Sequence, residues 1–106
     1  MFVAMNRFQV QPGRGDDFER IWRERDSFLA GVPGFVQFAL LRGAEGEYLS
    51  HSTWQSRAAF EAWTQGEAFR RAHAQGSLAG VLAGPPAVHL YDGVIVEDAA
   101  IVESGA

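Results

Sequence analysis

The sequence predicts an α+β fold, a ferredoxin-like antiparallel sheet with helices packed against one face. Three observations predict it. Four stretches have strand length and strand patterning. Helical patterns follow the first and third of them, which gives the order β-α-β-β-α-β, with the second helix in two parts. The second strand is apolar on both faces, so the sheet needs cover on both. The helices supply one cover. A second copy of the same sheet is the simplest supply of the other, so a two-fold dimer is expected.

Each element has its own justification. "MFVAMNRFQV" alternates, with Phe2, Ala4, Asn6, Phe8 and Val10 on one face and Val3, Met5, Arg7 and Gln9 on the other. A strand is expected over 2–10, closed by a turn at Pro12-Gly13-Arg14-Gly15. Asp16 with Glu19 three residues on reads as a capping box. Phe18, Ile21, Trp22, Arg25, Phe28 and Leu29 follow helical spacing, which places the helix end near Gly31, before Val32-Pro33-Gly34.

"FVQFALLR" (35–42) is the second strand. Phe35, Ala39 and Leu41 are expected on one face, and Val36, Phe38 and Leu40 on the other. The loop 43–46 suits a hairpin into "EYLSHSTW" (47–54). Ser56 can cap a helix carrying Phe60 and Trp63. Thr64-Gln65-Gly66 reads as a break, after which "EAFRRAHAQ" forms a second piece ended by Gly76. Residues 76–86 read as a loop, 87–96 as the last strand and 97–106 as a loose acidic tail. One domain over 1–96 is expected.

Composition bounds the chemistry. The 106 residues contain no cysteine, which excludes disulfides, cysteine zinc sites and iron–sulfur clusters. Any metal must be held by histidine, by carboxylate or at the centre of a bound cofactor. The net charge of −4, without a basic run, argues against nucleic acid. No stretch reaches the ~18 apolar residues that span a bilayer, and the start shows no signal-peptide pattern. A cytoplasmic location without a membrane partner is expected. No P-loop, G-x-S-x-G or G-x-G-x-x-G is present.

Three polar or amphipathic residues interrupt the apolar pattern. Asn6 sits mid-strand on the expected helix side. It is either a satisfied core amide or a donor aimed into a pocket. Trp63 shares a helix face with Phe60, where a core aromatic is the ordinary reading. His73 shares a face with Phe69 and Ala72, near the helix end. A cation there has the helix dipole as its ordinary explanation, while an iron ligand wants a neutral imidazole in an apolar wall. On one unbroken helix, ten residues span about 15 Å and turn the side chain by roughly 80°. A kink at 64–66 turns Trp63 and His73 toward one broad, flat ligand. His51 and His89 lack the spacing of a metal motif and read as structural.

"AMNRF", "PGF" and "STWQSRAAFEAWTQGEAFRRAH" resemble the antibiotic biosynthesis monooxygenase family. Within it they resemble the IsdG-type haem-degrading monooxygenases. The similarity runs over about 2–95 and is most specific over 53–73. The Asn, Trp and His of that branch match Asn6, Trp63 and His73, and the Trp63-to-His73 interval matches as well. The segment after His73, "AQGSLAGVLAGPP", matches no motif of the family.

The resemblance implies a dimeric α+β barrel with haem between sheet and helices, as both substrate and cofactor. His73 is then the axial ligand, Asn6 a donor near the iron, and Trp63 a wall pressing on the macrocycle. Phe69 and Trp22 line the pocket, with Arg25 near a propionate. An external electron donor or reductase is implied. Three alternatives stay open: a cofactor-free quinol or polyketide monooxygenase, a non-enzymatic haem-binding dimer, and a dimer in which the three residues merely pack. The first of these does not need the helix histidine, so His73 discriminates.

Overall fold

A computed structural model describes residues 1–73 and 78–99. The elements run β1 (Phe2–Gln9), α1 (Gly15–Glu24), β2 (Phe35–Arg42), β3 (Glu47–Trp54), α2 (Arg57–Thr64), α3 (Glu67–His73) and β4 (Ala87–Asp92). The four strands form one antiparallel sheet in the order β2-β3-β1-β4. This is the predicted ferredoxin-like α+β arrangement, with the second helix broken. The expected stop at Gly76 and the tail from 100 to 106 lie outside the described residues.

Register assigns the faces. Phe2, Ala4, Asn6 and Phe8 of β1 stand opposite Trp54, Ser52, Ser50 and Tyr48 of β3. All lie on the helix-facing side, where the core sits. One buried cluster under α1 joins Phe8, Val10, Phe18, Tyr48 and Val81. A second, beneath α2, joins Phe2, Leu29 and Trp54 and takes in Phe35, Phe38, Phe60 and Trp63.

Several expectations need correction. Phe35 does not share a face with Ala39 and Leu41. A bulge between Phe35 and Gln37 inserts an extra residue, so Phe35, Phe38 and Leu40 all face the helices. Asp16 is not the N-cap of α1. Arg14 holds that position without a side-chain cap bond, and Glu19 bonds Arg42 and Tyr48 instead of closing a capping box.

The first helix also stops at Glu24, well before Gly31. Asp26 Oδ1 accepts from the Phe28 amide and Ser27 Oγ from the Leu29 amide, so local side chains compete for the backbone. Phe28 adopts a left-handed φ of 54°, while Leu29 is buried in the second cluster. The break at Gln65-Gly66 falls where expected, and Ser56 Oγ caps α2 by accepting from the Ala59 amide at 3.1 Å.

The segment 78–86 is anchored rather than free. Val81 is buried, its carbonyl accepts from the Gln11 amide at 2.8 Å, and Leu82 bridges Val10. β4 ends at Asp92, not at 96, because its partner β1 begins at Phe2 and the Gly93 amide closes on the Met1 carbonyl.

Candidate functional site

The broken second helix brings three of the singled-out residues together. Trp63 ends α2 and lies on Trp54 with ring centroids 5.0 Å apart. Gln65 and Gly66 turn the chain, so α3 returns Phe69 edge-on to Trp63 at 4.8 Å. His73 then lies over the Phe69 ring at 3.9 Å and 6.2 Å from Trp63. The Phe69 carbonyl and Nδ1 of His73 are 2.8 Å apart. When Nδ1 carries the proton it donates to that carbonyl, which fixes the tautomer and leaves the free lone pair on Nε2.

A second aromatic group stands at the end of α1. Trp22 stacks on Phe38 at 5.7 Å and 17°. The Arg25 guanidinium lies 4.5 Å from the Trp22 centroid and 4.9 Å from that of Phe38. Arg25 is not on the helix, as expected, but follows it in an extended conformation, which lets the side chain fold back over the rings. Burial pulls its pKa below the ordinary value, and Asp26 acts in the opposite sense.

Asn6 lies on the helix-facing side, as its alternation predicts, between Ser50 of β3 and Val88 of β4. Among the described residues no hydrogen bond joins it to either aromatic group. Among the same residues, the buried indole N–H groups of Trp22 and Trp63 have no partner. An unpaired buried donor is unfavourable and points to a ligand or water as its partner. Among the described residues no group of three His, Cys, Asp or Glu side chains can hold a metal ion. An iron here therefore calls for a cofactor that brings most of its own ligands.

Beside α1 lies a groove of about 250 Å³ lined by Trp22, Phe38, Tyr48, Glu19 and Arg42. Asn6, Trp63 and His73 do not line it. Its polar rim is an ion-pair network that sequence reasoning missed. Arg42 donates to both Glu19 oxygens at 2.7 Å, and the Tyr48 hydroxyl donates to Glu19 at 2.5 Å. Chiefly the Arg42 bonds, then Tyr48, bring the Glu19 pKa down to about 2. The network fastens α1 to β2 and β3. Its only sequence signal was Glu19 itself, read as a cap.

His51 and His89 lie on the opposite face, flanking Met5 on β3 and β4. α1, α2 and α3 all pack on the other side of the sheet. A groove of about 380 Å³ on the His51 face is lined by Val3, Met5, His51 and Tyr91 together with Ile95 and Val96.

Residues 1–75 match the antibiotic biosynthesis monooxygenase family. The chain is 38% identical over 74 residues to a mycobilin-producing haem oxygenase of Mycobacterium tuberculosis, covering 68% of this chain and 70% of that relative. It is 37% identical over 71 residues to deoxynogalonate monooxygenase of Streptomyces nogalater, covering 67% of this chain and 53% of that enzyme. The solved structure of MhuD, a haem degrader from M. tuberculosis with two haems bound in its active site, superposes with a TM-score of 0.74 at 30% identity. The match covers 92% of this chain and 100% of that one. SnoaB, a cofactor-independent oxygenase from S. nogalater, shares the fold with a TM-score of 0.67 at 24% identity, over 90% of this chain and 94% of that one.

Proposed function

The chain belongs to the antibiotic biosynthesis monooxygenase family, and from that premise we propose that it binds haem between sheet and helices and opens the porphyrin oxidatively. Dioxygen and electrons from an external donor or reductase complete the reaction, and iron is released. The observation that carries the reading is the grip of Phe69 on His73. Its carbonyl takes up Nδ1 and its ring backs the imidazole, so Nε2 is presented as a metal ligand.

The other residues fit a broad, flat, anionic ligand. Trp63 and Trp22 offer apolar ring surface. Arg25 supplies a cation on an aromatic shelf, suited to a propionate. Bound there, haem supplies the iron centre at which dioxygen is activated. His73 would hold that iron, with Phe69 setting the imidazole orientation. Asn6 would donate a hydrogen bond to a ligand atom bound there. Trp63, braced by Trp54, presses on the macrocycle, and ring distortion is one lever a protein has over haem.

The reading includes a second copy of the chain. Val3, Met5, Leu41, Leu49 and Tyr91 lie on the face turned away from α1, α2 and α3, where Leu41 is 45% and Tyr91 52% exposed. Pairing that face in a two-fold dimer makes an α+β barrel. One ferredoxin-like unit over 1–96 with an acidic tail over 97–106, working in the cytoplasm without nucleic acid or membrane, completes the picture. Among the described residues no helix is long and apolar enough to cross a membrane.

A haemin titration followed by visible absorbance tests the reading. Wild type should give a saturable, shifted Soret band at one haem per subunit, and His73→Ala should lose or alter it. Reductant in air should then bleach the band and release chelatable iron; a band that survives marks haem storage. The likeness to deoxynogalonate monooxygenase favours a second reading, quinol or polyketide oxidation without a cofactor. Wild type that shows only the free haemin spectrum would establish that alternative as the better account.

A further inference from the structure

We propose that Ser50 is a second hydrogen-bonding residue of this site, acting with Asn6 on one acceptor atom carried by the ligand. The inference rests on the haem reading and deepens it. Asn6 and Ser50 are direct cross-strand partners on the helix-facing side of β1 and β3. In such a pair the Cβ atoms are about 4.5–5.5 Å apart, so an atom poised over the pair can meet both side chains.

Three polar side chains interrupt the apolar helix-facing side at its centre, and they are used differently. Ser52 is occupied, because its hydroxyl accepts from the Trp54 indole at 3.0 Å and lies 3.4 Å from the Ala4 carbonyl. Ser52 thereby fixes a core ring. Ser50 is only 5% exposed, yet among the described residues neither its hydroxyl nor the Asn6 amide makes a hydrogen bond. The hydroxyl is also absent from the fully enclosed unpaired atoms, so it still reaches open space. A core role satisfies its polar atoms, as Ser52 does. Two polar groups that still reach open space, side by side between two aromatic clusters and with no protein partner among the described residues, stand ready for a ligand atom that displaces solvent. The acceptor it suits is a compact oxygen or nitrogen atom with free lone pairs, such as one held on the open side of haem iron.

The test uses ferric haem-loaded protein titrated with azide, a small anion that binds iron, and reads visible absorbance. Ser50→Ala should weaken azide binding about three- to tenfold, the scale of one hydrogen bond. Its haem affinity should match wild type, and Ser50→Thr should restore azide binding. The double variant Asn6→Ala/Ser50→Ala should lose less than the product of the two single losses, because the residues share one atom. Azide binding by Ser50→Ala equal to wild type overturns the proposal, as does a parallel loss of haem affinity, which would mark a merely structural role. Wild type that takes up no haem overturns the underlying reading, and this inference with it.

Discussion

The helix-facing side of the sheet carries Asn6, Ser50 and Ser52 among aromatic rings, whereas the other face carries Val3, Met5, Leu41, Leu49 and Tyr91, turned away from α1, α2 and α3. The two faces depart from the burial rule in opposite directions. One encloses polar groups, and the other exposes apolar ones. Scattered exposed apolar residues need no explanation, but a contiguous field of them marks an interaction surface. Polar groups set among those rings without protein partners, as Asn6 and Ser50 are, suit a binding site. On the haem reading, ligand chemistry and assembly fall on opposite faces of one sheet.

The separation can be broken by substitution. The largest effect is expected from His73→Ala. It should weaken haem binding by more than the roughly 10–100-fold typical of losing an outer-shell partner, measured by Soret titration. Its oligomeric state should stay that of wild type. Next, Leu41→Asp paired with Met5→Asp should convert a two-fold dimer to monomer, measured by sedimentation. Each protomer should keep its helical circular dichroism. A variant set in which both properties fall together would show that the faces are coupled.

Two smaller effects sharpen the comparison on the helix side. Glu19 has a folded pKa of about 2 against an ordinary carboxylate value of 4.5. Its contribution is therefore complete above about pH 4.5 and is lost as pH falls toward 2. Glu19→Gln should flatten the acid limb of a stability-versus-pH curve in that window, with little change at pH 7 in the position of Trp63. The smallest effect is expected from Ser56→Ala, about 1 kcal/mol of stability by urea unfolding, from loss of the α2 cap. No change in haem affinity should accompany it, since the cap lies at the far end of α2 from Trp63.

Much of this was legible because it was local. β2 and β3 have the bounds that alternation and the 43–46 turn predict, and the break at 64–66 was visible in its residues. Asn6 and His73 could be singled out as polar groups on apolar faces, while Trp63 and Phe69 stood out only through the family resemblance. What was missed depends on partners distant in sequence. The face of Phe35 follows from a bulge, which is a property of strand pairing. Glu19 looked like a cap because its true partners, Arg42 and Tyr48, lie 23 and 29 residues away. Ser50 looked like an ordinary polar strand residue until register set it opposite Asn6. The end of α1 was misjudged for a local reason, the weight given to periodicity over the turn chemistry of Asp26 and Ser27.

The joint at Gln65-Gly66 divides labour between two short helices. α2 packs against the core through Phe60 and Trp63, whereas α3 reaches it through Phe69 edge-on to Trp63. Changes in sequence beyond the joint therefore act first on Phe69 and His73, and reach the core through their contacts with Trp63. The imidazole can be re-aimed while the indole wall stays where Trp54 holds it. On the haem reading, a lineage that rotated or emptied α3 would change its chemistry and keep the wall that Trp63 builds on Trp54.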